Sequence, residues 1–316
     1  MWGFQKKNQD VRLSTDKKHR VILTGASGNV GSRVAKLVIP SHKGSVILTG
    51  RDRTMFRELL KDGAEIGIGS MEDSHFLSHL FRNAEAALIM VPFPRHIKEF
   101  TVFQRRVVES LFDSIKGSSL KYIIHVSCLG AHRPDKTGPI LGNYDLERRL
   151  NWLKDIHIVH LRPSFFMEGL FDFLSFDREK GIITSPLYPH TPLPLISVED
   201  VARAAAGFLL KLSFRGQSVH QLPGPKALSM DRIVNIIGDV INYRNLKYES
   251  IAYEKAKDGL IDKGYSEDWV ASWMSCFKYM NEDKDLFGNL EEETSNNKTF
   301  KELAPSLVHR YGEFCN

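Results

Sequence analysis

The sequence predicts an α/β fold, a doubly wound parallel sheet followed by a smaller, mostly helical C-terminal lobe. Three observations predict it. Strand-like and helix-like patterns alternate over residues 19–163. One of the strands, Ala86-Ala87-Leu88-Ile89-Met90-Val91, has no polar position, as a strand covered on both faces requires. A turn with three glycines, Gly25-Ala26-Ser27-Gly28-Asn29-Val30-Gly31, joins the first strand to the first helix.

The first strand is Val21-Ile22-Leu23, and the helix after the turn places Val34, Leu37 and Val38 on one face. Ser45-Val46-Ile47-Leu48 reads as the second strand, residues 54–61 as helix and Ala64 to Ile68 as the third strand. A helix over 72–82 precedes the apolar fourth strand. Phe100, Phe103, Val107, Leu111 and Phe112 recur at helical spacing within 97–115. Tyr122 to Val126 and Ile156 to Leu161 are the fifth and sixth strands. Alternation at this spacing makes right-handed βαβ units. Beyond Pro163 the chain is rich in aromatics and prolines. Ser197-Val198-Glu199-Asp200 is a capping signal that starts a helix to about Leu212. Segment 195–212 is expected to pack back on the first domain. Helices are expected over 230–242 and 254–280, and an exposed acidic loop over 282–293. The domain reading is a disordered basic leader at 1–18, a first domain at 19–163 and a second lobe at 164–316.

Composition excludes several classes. The chain has 316 residues, 42% hydrophobic and 26% charged, ordinary values for a globular protein. No apolar run approaches the roughly 20 residues that span a bilayer. The first twenty residues lack an apolar signal core, so a cytoplasmic location is expected. The formal charge of +5 sits mostly in residues 1–20, which carry six Lys/Arg against two Asp; the other 296 residues hold about +1. That argues against a nucleic-acid partner for the folded part. Cys128, Cys276 and Cys315 are far apart, and the twelve histidines show no metal-binding spacing, so no metal is expected.

The glycine turn carries the chemistry. Its first glycine permits a tight turn, the second lets backbone approach a pyrophosphate, and the third allows close helix–strand packing. The helix start behind it offers free N–H groups and a partial positive charge. Gly31 is followed by Ser32-Arg33, which excludes a Walker A loop. Gly25, Ser27, Gly28, Asn29, Val30 and Gly31 are therefore expected to bind a dinucleotide. The second strand ends in Thr49-Gly50-Arg51-Asp52-Arg53. Arg51 stands where a basic residue receives a ribose 2′-phosphate, and Arg51 and Arg53 are expected to bind it, so NADP(H) is expected to be preferred. Asp52 leaves NAD(H) open.

Thr24 to Gly31 resembles the cofactor fingerprint of the NmrA-like, atypical short-chain dehydrogenase/reductases. Met90-Val91-Pro92 resembles the family segment under the cofactor, and His125-Val126-Ser127 the end of the fifth strand. Leu161-Arg162-Pro163-Ser164-Phe165-Phe166-Met167-Glu168 is similar to the family's "LRP…FMEN" stretch, with Gly169 in place of Asn. Leu195 to Ala202 and Thr299 to Glu302 match further blocks, so the resemblance spans about 20–312. It implies a Rossmann domain with a smaller lobe forming a cleft over the nicotinamide. Pro92 and Val126 would line the cofactor. Family members include NAD(P)H-dependent reductases of quinones and small aromatics, and redox-sensing regulators.

A standard short-chain reductase uses Ser, Tyr and Lys. Here Ser127 could hydrogen-bond a substrate carbonyl. Glu147 fits the acidic residue of the family's helix, which puts Asn143 at the usual Lys or His position and Pro139 at the usual Tyr position. Tyr144-x-x-x-Arg148 imitates the motif one residue out of register. Ser127, Asn143 and Tyr144 are the candidates near the hydride. Phe93, Phe165, Phe166, Phe171 and Phe173 suit either a flat apolar substrate or a core. The expected function is an NADP(H)-dependent oxidoreductase acting on a small aromatic, quinone or carbonyl substrate. The alternative is a non-catalytic NADP(H)-sensing regulator acting through a protein partner.

Overall fold

The computed structural model describes residues 19–134, 138–283 and 297–311. The leader 1–18 and most of the acidic stretch 282–293 lie outside the described residues. The first part of the chain runs β1 (Val21–Leu23), α1 (Asn29–Val38), β2 (Val46–Gly50), α2 (Arg57–Lys61), β3 (Glu65–Ile68), α3 (Ser74–Phe81), β4 (Ala86–Met90), α4 (Phe100–Lys116), β5 (Tyr122–Val126), α5 (Leu141–Leu150) and β6 (His157–Pro163). There follow β7 (Phe165–Phe166), α6 (Met167–Leu170), β8 (Ser175–Asp177), β9 (Ile182–Ser185), β10 (Leu193–Ile196), α7 (Val198–Lys211), β11 (Gln217–Leu222), β12 (Lys226–Leu228), α8 (Met230–Val240), β13 (Lys247–Ser250), α9 (Tyr253–Asp262), α10 (Glu267–Glu282) and α11 (Phe300–Arg310).

Seven strands form one parallel sheet in the order β11-β6-β5-β4-β1-β2-β3. This is Rossmann topology with β11 added at one edge, and its winding reverses between β1 and β4, where such sheets open a crevice for ligands. Side chains alternate across the sheet. Val21 and Leu23 pack with Val34, Val38 and Leu48 and with Val201, Ala205 and Leu209 of α7. Ile22 and Ile47 pack on the opposite face with Phe76, Leu80, Val107 and Leu111. Helix α7 thus returns to lie beside α1, and Ser197 caps it by accepting from Asp200 N.

The lobe beyond Pro163 has its own apolar core, built around Phe171, Ile233, Trp269, Phe277 and Phe300. Besides helices α8–α11 it contains two three-stranded sheets, β12-β10-β7 and β13-β9-β8, which the sequence did not disclose. The helix expected over 254–280 is two helices. Gly264 sits at φ +83°, which ends α9, and the Ser266 side chain accepts from Trp269 N to start α10. Among the described residues no helix is long and apolar enough to cross a membrane.

Candidate active site

One cleft of about 510 Å³ runs from the glycine turn, past the ends of β2, β4 and β5, to an aromatic end in the second lobe. At the first end, Gly25 adopts φ +63°, and a Cβ there would lie 2.8 Å from Met90 Sδ. A Cβ at Gly31 would lie 2.3 Å from the carbonyl oxygen of Gly25, so helix α1 can start this close to the turn only with glycine there. Gly28 N donates to Gly25 O at 2.9 Å and closes the turn. Helix α1 begins with no side-chain cap and no acidic residue in its first turn. Its first N–H groups therefore suit an anion. Thr24 ties the turn to β4 through N and Oγ1, both donating to Leu88 O at 3.0 Å.

Gly25, Ser27, Gly28, Asn29, Val30, Arg51, Pro92 and Ser127 all line the cleft. Gly31 lies beneath the turn. Arg53, Val126, Asn143 and Tyr144 do not line it: Val126 faces the core, and Arg53 opens the short helical turn after β2. Asp52 has its own local partner. Its Oδ1 accepts from Thr54 N at 2.8 Å, and that bond lowers its pKa. The carboxylate thus caps the turn at Arg53–Phe56, and Arg51 is the charged group of this strand end that lines the cleft.

The fifth-strand end is a buried polar network. Ser127 Oγ donates to Glu147 Oε1 at 2.5 Å, and Arg162 grips the same carboxylate through Nε at 3.0 Å and Nη2 at 2.5 Å. Hydrogen bonds to a charged group contribute about 1.5–3 kcal/mol each. Asn143 is 1% exposed and fully engaged, with Oδ1 3.2 Å from His125 Nε2 and Nδ2 donating to Cys128 Sγ at 3.3 Å. His125 Nδ1 meets His160 Nδ1 at 3.0 Å, and His160 Nε2 lies 3.1 Å from Asn151 Oδ1. Burial lowers the pKa of both histidines and raises that of the Cys128 thiol. Two neutral rings in contact through Nδ1 share one donor and one acceptor. One asparagine of the row must then turn its NH2 toward a ring, and Asn151, at the surface, does so freely. His125, His160 and Glu147 are close enough to share a metal ion, but Arg162 and Ser127 already occupy the carboxylate.

The neutral histidines set a pH dependence. Each titrates near 6.5 in the unfolded chain and lower in the fold. Below about pH 6.5 the unfolded chain takes up protons that the native protein refuses. Stability is therefore full above pH 6.5 and falls toward the depressed values by up to about 1.4 kcal/mol per pH unit for each histidine. Glu168 and Asp172, whose pKa values burial raises, act in the opposite sense. The His160 share is the part of the slope that His160→Asn removes in urea unfolding between pH 7.5 and 5.5. An unchanged slope would contradict the assignment.

The far end of the cleft is aromatic. Phe165, Phe173, Trp269 and Trp273 line it, with Phe93 beside Phe100; Phe166 lines the cleft from the side of the first domain, against whose core it packs. Phe173 stacks on Trp269 at 6° between planes and meets Phe277 edge-on. Phe171 does not line the cleft; it is 2% exposed and stacks on Phe300 and Tyr311. Arg95 stands at this end, held by both oxygens of buried Asp172 at 2.9 and 2.6 Å. Tyr311 donates to Asp172 Oδ1 at 3.0 Å. Glu168, a carboxylate of the cleft wall, accepts from Val198 N at the start of α7 at 3.0 and 3.1 Å. The sequence did not single out Arg95, Asp172, Trp269 or Trp273. Their partners are up to 170 residues away, and the only local signal was the aromatic content after Pro163.

Comparisons with known proteins agree with this architecture. An NAD(P)H azoreductase of Xenophilus azovorans is 23% identical over 252 residues, 78% of this chain and 82% of that protein. The structure of a Citrobacter sp. triphenylmethane reductase complexed with NADP(H) superposes with TM-score 0.73 at 16% identity, covering 91% of this chain and 99% of that one. An NADPH-dependent quinone oxidoreductase of Escherichia coli, complexed with NADPH, gives TM-score 0.69 at 18% identity, covering 92% and 99%. The profile of the NmrA-like family matches residues 17–311, and with the glycine turn, the strand order and the two-lobed cleft already in place, this chain belongs to the NmrA-like family.

Proposed function

We propose that this chain is an NAD(P)H-dependent oxidoreductase that prefers NADP(H) and reduces a small, flat, apolar acceptor of the aromatic, quinone, azo or carbonyl kind. The observation that carries the reading is the single cleft joining an anion-receptive turn to an aromatic end. When bound, a dihydronicotinamide supplies the hydride. The N–H groups of Ser27, Asn29 and Val30 would hold the pyrophosphate, with Gly25, Gly28 and Gly31 shaping the turn. Arg51 would hold the 2′-phosphate. Pro92 and Ser127 would border the nicotinamide, and Phe165, Phe173, Trp269 and Trp273 would hold the acceptor ring and exclude water. In this reading residues 19–163 carry the nucleotide and the lobe from 164 onward the acceptor, with 195–212 serving both.

Among the described residues that line the cleft none is Tyr, Lys or His. The two carboxylates that line it, Glu168 and Asp172, are held by Val198 N and by Arg95, so in this reading water supplies the proton for the reduced acceptor, which a quinone or azo group tolerates. The same observation favours a second reading, a dinucleotide sensor without turnover. Steady-state NADPH oxidation with a panel of quinones and azo dyes separates the two. Turnover supports the enzyme; tight NADPH binding with no turnover for any acceptor would overturn it in favour of the sensor. Arg51→Ala is expected to weaken NADPH binding about 30-fold, the loss of charge-assisted bonds to one phosphate, and NADH binding hardly at all. Equal losses for both would refute the role of Arg51.

A further inference from the structure

Ser127 lines the cleft, yet its hydroxyl proton goes to Glu147 and its backbone N–H to Leu161 O, neither of which lines it. Oγ donates to Glu147 Oε1 in a buried group where the Arg162 guanidinium holds both oxygens of the carboxylate. A carboxylate so held has no proton to return, and a serine hydroxyl has only one to give. What Ser127 offers a ligand is its lone pairs.

We infer that Ser127 is an acceptor site that recognises an N–H or O–H group of the ligand beside it, with Glu147 and Arg162 as positioning residues that set this polarity. The inference rests on the reading of the cleft as a site for a nicotinamide dinucleotide and a flat acceptor. It reverses the role of donor to a substrate carbonyl that the sequence suggests for Ser127. A carbonyl oxygen at this point meets lone pairs, whereas the carboxamide NH2 of the cofactor, or a hydroxyl on the aromatic ligand, meets a ready acceptor.

Equilibrium titration tests it without turnover. In one arm, wild type and Ser127→Ala bind NADP+ and its 3-acetylpyridine analogue, which keeps the carbonyl and lacks the NH2. In the other, the NADP+-loaded proteins bind 2-naphthol and 2-methoxynaphthalene. Ser127→Ala is expected to weaken the donor-bearing ligand of one arm about fivefold, the worth of one neutral hydrogen bond, and its donor-free counterpart less than twofold. The arm in which this occurs identifies the donor as cofactor or aromatic ligand. Glu147→Gln can turn its NH2 toward Ser127 and release the serine proton, so it is expected to narrow the discrimination; a purely structural role for Glu147 would lower both affinities alike. Ser127→Thr, which keeps the hydroxyl, is expected to preserve the discrimination and serves if the alanine variant folds poorly. Equal effects on donor-bearing and donor-free ligands in both arms, or a selective loss for the donor-free ones, would overturn the inference while leaving the proposed function intact. Failure of the wild type to bind NADP+ would remove both.

Discussion

Gly31→Ala is expected to weaken dinucleotide binding by at least about 100-fold and to destabilise the protein. The added Cβ would lie 2.3 Å from Gly25 O, 2.7 Å from Gly25 C and 2.8 Å from Ala26 Cα. These are backbone atoms of the turn, so no side-chain rotation relieves the clash. Either helix α1 backs away from β1, against Val34 and Val38 in the core, or the turn opens. Overpacking of this kind costs about 1–3 kcal/mol of stability. An opened turn also misdirects the N–H groups that would meet the phosphates, and losing two charge-assisted bonds accounts for the hundredfold loss. Titration with NADPH and urea unfolding read the two effects separately. Affinity within fivefold of wild type would show that the turn does not hold the cofactor.

Glu147→Ala is expected to cost about 3–5 kcal/mol of stability. The side chains of Glu147 and Arg162 are 4% and 14% exposed, so removing the carboxylate leaves a guanidinium buried without its counter-charge. Ser127 also loses its partner. The double variant Glu147→Ala/Arg162→Met removes both charges and is expected to recover much of the loss. Urea unfolding at pH 7.5 measures both. If the single and double variants are equally destabilised, packing around α5 rather than the buried charge governs this region.

The main sheet was legible in the sequence wherever a strand is buried on both faces. Ala86–Met90 and Tyr122–Val126 read as strands because nothing polar interrupts them except His125, and His125 is the residue with a buried partner of its own. Strand β11, Gln217–Leu222, was not legible. It lies at the sheet edge, pairs only with β6 and leaves much of its side-chain surface to water, so it shows neither alternation nor an apolar run. The break between α9 and α10 was written in Gly264 and Ser266, a glycine stop followed by a serine cap, but the apolar spacing on either side hid it.

The candidate site divides in the same way. The dinucleotide end is local in sequence, since a turn and one strand end carry it. The aromatic end is assembled from Phe93 after β4, from β7 with the nearby turn at Phe171–Phe173, and from α10, three regions far apart in the chain. The register of α5 could be counted in the sequence, but not what Asn143 touches. Its place between His125 and Cys128 makes it part of the buried framework instead of a group facing the acceptor.

A crystal structure of the protein with NADP+ and a flat aromatic inhibitor would show whether one cleft holds both ligands. The expected density puts the pyrophosphate against the N–H groups of Ser27, Asn29 and Val30, the 2′-phosphate on Arg51, the nicotinamide beside Pro92 and Ser127, and the inhibitor ring against Phe165 and Trp273. An inhibitor bound outside this cleft, or a dinucleotide whose nicotinamide end points away from the aromatic lobe, would contradict it.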